Sequence, residues 1–458
     1  MIHRDRPAEF DLVAIGCGPF NMSVAALAST LPDLSFCAFE ATDELRWHPG
    51  LMFDDSLFQQ SFLADLVSLV DPVHPLSFLS YLKAQDRLYP FFVREQFHPT
   101  RREYEAYLQW VASRLRSVVY GTRVNSVCWE AGSSRFVLVL EDKGRGVHRV
   151  SARHVVVGVG TEPHLTDALQ GIGHPCVLHS AQYMERRRDV LRAPHVTVVG
   201  SGQSAAEVVL DLLRENLQGG PALSWLTRTE SFAPLDYSKL VLEMTTPAYV
   251  RYFHGLGEAV RDRLNAQQWR HYRGISGYTL DQIHDALYQR ELLPGLRPVE
   301  LRCAVEAISA RLRRDGRISV SLEQRDTKRQ FEHSTDLIIA ATGYRNRAAA
   351  CLAPLSEYIV LDSKGRMVVD LDYRVALAPA ITGKLFVANA ELHTHGVATP
   401  DLGVSAYRSA TILNSVLGRE AYSLPRRTAF SSFGVPGDAS TGEAAGRVTP
   451  EITQGGRA

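Results

Sequence analysis

The chain has 458 residues, enough for two or three domains, and its 45% hydrophobic and 22% charged residues are typical of a globular protein. Fifty basic residues offset fifty acidic ones, so the charge gives no reason to expect nucleic acid or an anionic membrane as a partner. No stretch reaches the roughly 18 uncharged apolar residues of a membrane span. The six cysteines form no CxxC pair, which predicts reduced thiols in a cytoplasmic protein.

The first predicted nucleotide-binding fold begins at residue 11. A buried strand over residues 12–15 leads into Gly16-x-Gly18 and then into a helix. Gly16 permits the tight turn, and Gly18 lets backbone N–H groups approach a pyrophosphate at the helix N-terminus. The next strand, LSFCAFE, ends at Glu40, whose carboxylate can accept the hydroxyls of an adenosine ribose. Any parallel strand–turn–helix unit can carry glycines, but Glu40 makes nucleotide binding the favoured interpretation.

A second copy of this pattern begins at residue 195. A β-branched strand runs into Gly200-x-Gly202, and Ala205 takes the place of the third glycine. The following strand, ALSWLTR, ends at Arg228 instead of an acid. An arginine suits the 2′-phosphate of NADPH, which an acid would repel, so we expect NADPH and not NADH. The alternative is that Arg228 is only a solvated charge at a strand end.

Two nucleotide folds in one chain indicate two cofactors, FAD in the first fold and NADPH in the second. The buried strand in DLIIAATGYR, residues 336–345, is predicted to return the chain to the first domain. We therefore predict an α/β protein with two Rossmann-like dinucleotide-binding domains and a small helical substrate lobe. The predicted segments are an FAD-binding domain over 1–190 and 336–425, an NADPH-binding domain over 191–335 that includes the lobe at about 232–290, and a disordered tail over 426–458.

Several further motifs occur in a specific order. They are GxGPFN at 16–21, WHPG at 47–50, QxSFLxDLVxxxDPxxPxSFLxYL at 59–82, GSGQSAAE at 200–207, ATGY at 341–344 and THGVATPDLG at 394–403. Together they resemble the flavin-dependent N-hydroxylating monooxygenases of siderophore biosynthesis, which act on the terminal amine of ornithine, lysine or a diamine. The resemblance implies FAD, NADPH and O2 as reactants, a C4a-hydroperoxyflavin that the substrate amine attacks, and a homo-oligomer, either a tetramer or a dimer.

The same resemblance implies the site residues. The expected FAD contacts are Gly16, Gly18, Pro19, Asn21, Glu40, Trp47, His48 and Gln59, with Leu402 and Gly403 at the flavin edge. The expected NADPH contacts are Gly200, Gly202, Gln203, Ser204, Ala205 and Arg228, and Thr342 and Gly343 are further cofactor contacts. The expected substrate contacts are Ala64, Leu242, Glu243 and Val404. No side chain is expected to act as a catalytic acid or base, and no metal site is expected, because His393 and His395 lack a third ligand at useful spacing.

The chain departs from the family pattern at two places that concern the substrate. In the ornithine and lysine enzymes the segment around residue 64 is similar to Q-x-x-F-L-K-D-L, and its lysine pairs with the substrate's α-carboxylate, whereas this chain has Ala64. The ornithine enzymes also place an asparagine before a glutamate in the lobe, where this chain has Leu242 before Glu243. A partly buried carboxylate without its cation is disfavoured by several kcal/mol. These departures predict a diamine substrate, putrescine or cadaverine.

Two questions stay open at this stage. Another cation, such as Lys239, could replace the missing lysine, in which case the substrate is L-lysine, hydroxylated at N6, or L-ornithine, hydroxylated at N5. A diamine would instead place an ammonium at the remote end of the site, where Glu243, Asp236 and Asp65 are the candidate acceptors. The sequence does not choose among these three carboxylates.

Overall fold

A computed structural model of the protein describes residues 9–144, 146–173 and 175–436. The strands are β1 (Glu9–Ile15), β2 (Phe36–Phe39), β3 (Val118–Val119), β4 (Thr122–Glu130), β5 (Arg135–Asp142), β6 (Gly146–Val157), β7 (Thr161–Pro163), β8 (Val177–His179), β9 (His195–Val199), β10 (Ala222–Leu226), β11 (Val299–Arg302), β12 (Val305–Leu312), β13 (Ile318–Gln324), β14 (Gln330–Thr335), β15 (Leu337–Ala340), β16 (Tyr344–Asn346) and β17 (Lys384–Val387). The α-helices are α1 (Pro19–Ala28), α2 (Phe78–Ala84), α3 (Leu88–Val93), α4 (Arg101–Ala112), α5 (Asp167–Gln170), α6 (Tyr183–Arg192), α7 (Gln203–Asn216), α8 (Lys239–Leu242), α9 (Pro247–His254), α10 (Glu258–Gln267), α11 (Arg270–Arg273), α12 (Gly277–Glu291), α13 (Leu392–His395) and α14 (Ser405–Leu417). None of these described helices combines the length and apolarity needed to cross a membrane.

The first sheet has the order β3-β2-β1-β6-β5-β4, and β17 also pairs with β6. β1 runs parallel to β2 and β6, while β4, β5 and β6 form an antiparallel meander. Successive side chains of a strand point to opposite faces. Accordingly, Leu12 and Ala14 pack in the apolar core that contains α1 and α14, whereas Val13 and Ile15 pack in the core on the other face. Because both faces of β1 are buried, its sequence is a nearly continuous run of apolar residues.

The second sheet is entirely parallel, with the order β11-β10-β9-β15-β8. β15 therefore belongs to the second sheet, although the sequence predicted that it returns the chain to the first domain. A buried strand needs partners along both edges, and β9 and β8 supply them. The chain crosses between the two folds at β7 and β16, which pair with each other, and not at residues 190 and 336 as predicted. An antiparallel sheet of β12, β13 and β14 precedes β15.

The segment predicted as a helical lobe contains α8 to α12. The last of these, α12, packs against α7 and contributes Ile283 and Ala286 to the core of the second fold. α10 is tied to the first fold by Asp262, which accepts from Arg366 Nη1 at 2.6 Å and from Lys364 Nζ at 2.5 Å. The lobe therefore contacts both folds.

The first part of the predicted disordered tail lies on the lobe. The Thr428 hydroxyl accepts a hydrogen bond from the Ala248 N–H at 3.0 Å, and the Phe433 ring packs on Tyr249 with centroids 5.0 Å apart. An aromatic residue in this Gly- and Ser-rich stretch provides the apolar surface that the prediction overlooked. The rest of the predicted tail, residues 437–458, lies outside the described residues.

A buried ion pair joins the two folds. Arg101 Nη1 in α4 lies 2.7 Å from Glu207 Oε2 in α7, and both side chains are almost buried. Gln203 donates to the second Glu207 oxygen at 2.9 Å and to the Thr279 hydroxyl at 2.9 Å. The Ser276 N–H donates to the side-chain oxygen Oε1 of Gln203 at 2.8 Å. One hydrogen-bonded network thus holds α4, α7 and α12 together.

We predict that Arg101→Ala lowers the free energy of unfolding by about 3 to 5 kcal/mol, because it leaves the Glu207 carboxylate buried without its cation. The neighbouring variant Arg102→Ala is the matched control, since its ion pair with Asp54 is exposed and contributes at most about 1 kcal/mol. Urea unfolding of the cofactor-free variants measures both values. Equal losses in the two variants would contradict the role given to the buried pair.

Candidate active site

The first glycine turn is shaped by close backbone packing. Gly16 has a φ of +80°, and a Cβ there would lie 2.6 Å from the Gly158 carbonyl oxygen. A Cβ on Gly158 would in turn lie 2.6 Å from Asn21 Nδ2. By contrast, a Cβ on Gly18 would meet nothing within 4 Å. The turn is therefore tightly packed against the protein at Gly16, whereas the space beside Gly18 is open. A pyrophosphate needs such an open space next to the backbone.

Asn21 and Glu40 both brace this turn. Asn21 is buried, and its Nδ2 donates to the Gly16 carbonyl at 2.8 Å and to the Ile15 carbonyl at 3.1 Å. Glu40 Oε2 accepts from the Cys17 N–H at 2.8 Å. Burial raises the pKa of the Cys17 thiol, which keeps it uncharged beside this carboxylate. Pro19 is the first residue of α1, a position where proline's missing N–H is harmless.

WHPG lies next to the predicted substrate segment. The Trp47 ring contacts Phe58 and Tyr104, with centroids 5.7 and 5.1 Å apart. His48 is exposed to solvent on one side, and the protein atoms around its ring and the nearby Arg101 charge lower its pKa to about 4. His48 is therefore neutral at physiological pH.

Gln59 is the clearest polar group that is available to a cofactor. Its Nε2 is buried and has no hydrogen-bond partner among the described residues. A buried donor without a partner costs about 1 to 3 kcal/mol, so a ligand acceptor at this place would be stabilising. The residues of the first fold therefore fit a bound FAD, with an open space above Gly18 and an unused donor at Gln59.

The second glycine turn meets the ATGY segment. Gly200 has a φ of +143°, and a Cβ there would lie 2.2 Å from the Ala341 carbonyl oxygen. A Cβ on Gly202 would lie 3.3 Å from the Arg273 carbonyl oxygen. Ala205 is fully buried between α7 and the sheet, which explains why a small residue suffices there. A glycine at 200 is thus required for close packing.

Three other predicted NADPH contacts differ in their availability. The side-chain amide of Gln203 is used in the network with α12, which leaves only its backbone N–H for a phosphate. Ser204 is half-buried in the first turn of α7, where N–H groups have no intrahelical partner. Arg228 follows β10 with an exposed side chain and has no ion pair in the described part of the chain. These features fit a phosphate at the helix N-terminus and a 2′-phosphate at Arg228.

Thr342 and Gly343 form the joint between the two folds. The Thr342 hydroxyl donates to the His164 carbonyl, and Gly343 has a φ of +85°. The Gly343 carbonyl accepts from the His164 N–H at 3.0 Å and from His179 Nε2 at 2.9 Å. Their polar side-chain and backbone groups are thus largely used within the protein, and their contact with a cofactor stays a prediction.

A cavity of about 200 Å³ lies between the two folds and the lobe. Of the predicted cofactor residues, its wall contains Gln59 from the first fold and Gln203 from the second. Residues along its wall include Phe58, Gln59, Gln203, Glu207, Tyr237 and Thr279. Gln59 of the first fold and Gln203 of the second fold thus line the same cavity.

The segment that carries Ala64 contributes no cation to this region. Ala64 is 4% exposed, and its carbonyl accepts from the Tyr104 hydroxyl at 3.2 Å. The Asp65 carboxylate is buried and accepts from the N–H groups of Val67, Ser68 and Phe78 and from the Ser68 hydroxyl. Asp65 is therefore a structural residue, and its candidacy as an ammonium acceptor is wrong.

The lobe residues border the C-terminal segment. Leu242 is half-buried at the end of α8. Glu243 accepts from the N–H groups of Phe430 at 2.8 Å and Ser431 at 2.9 Å, and the hydrogen bonds from Ser431 and Phe430 lower its pKa. Glu243 therefore already has two donors, and its contact with a substrate stays a prediction.

The loop that ends at Val404 packs against the lobe. Val404 is buried beside Val250 and Ala398. Leu402 packs at the edge of the core that also receives Trp47. The structure thus places Val404 against α9, and Leu402 against the core on which Trp47 also packs.

Sequence reasoning missed several residues of this site. Gly158 supports the first turn, and the signal was a strand followed by glycine in VVVGVG. Asp401 accepts from the Gly403 N–H at 2.7 Å and lies beside the side chains of Gln60 and Thr245. The carboxylate stood in the quoted motif THGVATPDLG, but only the positions after it were assigned.

The two histidines of this loop are used in the fold. His393 Nε2 donates to the Met367 carbonyl at 2.7 Å, and the His395 ring stacks on Tyr373 with centroids 4.4 Å apart. Within the described residues, no group of three or more side chains is arranged to hold a metal ion.

Comparison with known proteins identifies the family. The sequence profile of the L-lysine 6-monooxygenase/L-ornithine 5-monooxygenase family matches residues 8–346. The chain belongs to this family. It is 37% identical to a putrescine N-hydroxylase from Shewanella oneidensis, over 93% of this chain and 84% of that protein. The prediction of an N-hydroxylating monooxygenase with two Rossmann-like folds is confirmed.

Two solved structures are similar over most of the chain. One is a cadaverine monooxygenase from Erwinia amylovora bound to FAD, with a TM-score of 0.90, 35% identity, and coverage of 93% of this chain and 98% of that one. The other is an ornithine N-hydroxylase from Kutzneria with reduced FAD, NADP+ and L-ornithine, with a TM-score of 0.83, 26% identity, and coverage of 90% and 100%. The relatives thus include enzymes named for diamines and for an amino acid.

We predict that Gly18→Ala weakens FAD binding about tenfold or more, equivalent to about 1.4 kcal/mol, because the added methyl group enters the open space of the cradle. The free energy of unfolding of the cofactor-free protein should fall by at most about 1 kcal/mol, since that methyl group meets no protein atom and only the N-cap preference of α1 for glycine is lost. Gly132→Ala is the matched control, because its Cβ position is equally open but lies in a distant turn. Quenching of FAD fluorescence measures the affinities, and equal values in the two variants would rule out this cradle.

Proposed function

We propose that this protein hydroxylates one terminal amine of an aliphatic diamine, putrescine or cadaverine, with FAD in the first fold and NADPH in the second. The product is an N-hydroxydiamine, a building block for hydroxamate siderophores. The observation that carries the proposal is the absence of any cation on the described segment 58–66, where Ala64 is buried and Asp65 is turned into the protein. An α-carboxylate bound there would be left without its counter-ion at a cost of several kcal/mol.

The open cradle at Gly18, the donor of Gln59 and the exposed Arg228 support the cofactor assignments. Bound FAD supplies the activated oxygen atom, and NADPH supplies the electrons. The protein residues position the amine and keep water away from it. The apolar side chains around Trp47 suit a space in which an amine loses its proton more easily.

The relatives support the diamine over the amino acid. The Shewanella relative is named a putrescine N-hydroxylase, and the Erwinia structure is that of a cadaverine monooxygenase of the desferrioxamine pathway. The alternative is hydroxylation of L-lysine at N6 or L-ornithine at N5, with Lys239 as the replacement cation. Lys239 begins α8 and is exposed, so it would have to move onto the substrate to take this role. A cytoplasmic location stays a prediction from the cysteine pattern.

We predict close to one hydroxylamine per NADPH oxidised with putrescine or cadaverine, and mostly uncoupled peroxide with ornithine and lysine. The physical reason is the missing partner for the α-carboxylate. The measurement compares hydroxylamine yield with NADPH consumption in air with added FAD. Coupled turnover only with an amino acid, abolished by Lys239→Ala, would establish the alternative.

We also propose that the protein forms a homo-oligomer through the exposed apolar face of α3. This helix has no buried residue, and Phe92 and Val93 are each 72% exposed. Exposed apolar patches of this kind mark protein–protein contacts. A second copy of the chain would cover the same patch symmetrically in a dimer.

We predict that Phe92→Lys shifts the protein to a smaller assembly, because a charged side chain in an apolar contact loses its hydration. Light scattering after gel filtration measures the mass. Val147→Lys is the control, since Val147 is an exposed valine on β6, outside α3. An unchanged mass for Phe92→Lys would exclude α3 as the contact.

A further inference from the structure

A diamine substrate carries an ammonium at the end remote from the reacting amine, and the site must provide a group that binds it. That end keeps its charge while the reacting amine is neutral. A buried ammonium needs a carboxylate or several carbonyl groups as partners. Two of the three carboxylates named from the sequence are already used, because Asp65 has four donors and Glu243 has two backbone N–H groups from the C-terminal segment.

The third candidate is bound to its own segment. Asp236 Oδ1 accepts from the Ser238 hydroxyl at 3.0 Å and, more weakly, from the Ser238 N–H at 3.4 Å. These bonds close a local turn at the start of the lobe. Neither bond brings Asp236 to the segment that carries Gln59 or to the loop that ends at Val404.

Asp401 differs from all three because it joins the three predicted parts of the substrate site. Its Oδ1 accepts from the Gly403 N–H at 2.7 Å, and the carboxylate lies beside the side chains of Gln60 in the segment 58–66 and Thr245 in the lobe. The Tyr237 phenol, which lines the cavity between the folds, lies close enough that burial and the Asp401 charge raise its pKa to about 12. Asp401 thus adjoins Gly403 at the predicted flavin edge and lies near Tyr237 in the wall of the cavity.

The partners of Asp401 are all neutral. It has no ion pair among the described residues, and protein surrounds the carboxylate although part of its surface stays accessible. Arg408, whose charge acts on Asp401, pairs instead with Glu391 at 3.1 Å and donates to the Thr399 carbonyl at 2.6 Å. Burial therefore raises the pKa of Asp401, the expected result for a carboxylate that lacks a counter-ion.

The backbone beside Asp401 keeps space open. A Cβ on Gly403 would lie 3.0 Å from Asp401 Oδ1 and 3.7 Å from Gln60 Oε1. A side chain at 403 would therefore crowd the carboxylate. Glycine at 403 therefore leaves Asp401 Oδ1 uncrowded on this side.

We propose that Asp401 receives the remote ammonium of the diamine and is the specificity-determining residue of this site. The inference rests on the proposed diamine function and extends it. One negative charge at this position attracts the ammonium of putrescine or cadaverine and repels the α-carboxylate of ornithine or lysine. Ala64 and Asp401 then both favour a diamine over an amino acid. Ala64 provides no cation for an α-carboxylate, and Asp401 provides an anion for an ammonium.

The test uses three substrates that share the reacting amine and chain length: cadaverine, 5-aminopentan-1-ol and n-pentylamine. In the parent protein we expect kcat/KM for cadaverine to exceed that for n-pentylamine by about 10- to 100-fold, the contribution of a charge-assisted hydrogen bond. The amino alcohol should fall between them. Equal efficiency for the three amines would overturn the inference without any variant.

The variant Asp401→Asn keeps the size of the side chain and an acceptor for the Gly403 N–H. We expect it to raise KM for cadaverine about 10- to 100-fold with little change in kcat, and to leave n-pentylamine turnover unchanged. Asp236→Asn should keep the preference for cadaverine. Calorimetric titration of cadaverine into the FAD-loaded proteins gives a readout that does not depend on turnover.

Two outcomes separate the inference from the proposed function. If Asp401→Asn slows cadaverine and n-pentylamine equally, Asp401 only supports the loop and the inference is wrong, while the diamine function stands. If the parent protein hydroxylates lysine or ornithine and neither diamine, the proposed function fails and the inference fails with it.

Discussion

The buried ion pair between Glu391 and Arg408 fixes the loop on which the site depends. The two side chains are almost fully buried and 3.1 Å apart, and the guanidinium also lies 4.8 Å from the Phe20 ring centroid at the start of α1. Arg408 further donates to the Thr399 carbonyl, so the loop from residue 396 to 404 is held against the first nucleotide fold. Breaking a buried pair of this kind costs several kcal/mol, which leaves the loop little freedom.

The same ion pair has a consequence for the charge of the site. Arg408 forms its ion pair with Glu391 and donates to Thr399, and within the described residues no ion pair joins it to Asp401. A substrate ammonium would complete the charge balance that the fold leaves incomplete. A rigid loop can also hold this ammonium at a fixed distance from the oxygen-transfer site, which selects the length of the diamine.

The chemistry places opposite demands on the two ends of one small molecule. The reacting amine must be neutral, which costs about 4 kcal/mol at pH 7.5 for an amine with a pKa near 10.4. An apolar environment reduces this cost, as the rings of Trp47, Phe58 and Tyr104 provide. The remote amine must stay charged, which requires an anion. A site that is apolar at one end and carries Asp401 at the other satisfies both demands.

The local features of this fold were readable from the sequence. Each glycine turn lies between a strand and a helix that are adjacent in the chain, and Glu40 follows at the end of the next strand. Pairings between distant segments were not readable. β15 lies in the second sheet, between β8 and β9. Its sequence, LIIA, is that of any buried parallel strand and does not indicate which sheet it enters.

Side-chain contacts between segments that are distant in sequence were also not readable from the sequence. Gln203 was predicted as a cofactor contact, but its amide binds partners in α12 that lie 73 and 76 residues further along the chain. Asp401 was passed over because its importance comes from Gln60 and Thr245, which are remote in sequence. Phe433 was assigned to a disordered tail because its aromatic partners lie in the lobe.

The most direct test of the account is a competition between cadaverine and L-lysine at equal concentrations, because the two molecules differ only in the α-carboxylate. Mass spectrometry of the hydroxylated products gives the ratio of their kcat/KM values in a single reaction. A site without a cation and with Asp401 at its remote end predicts an excess of N-hydroxycadaverine of about 100-fold or more, equivalent to about 2.7 kcal/mol. Equal amounts of the two products, or an excess of N6-hydroxylysine, would contradict it.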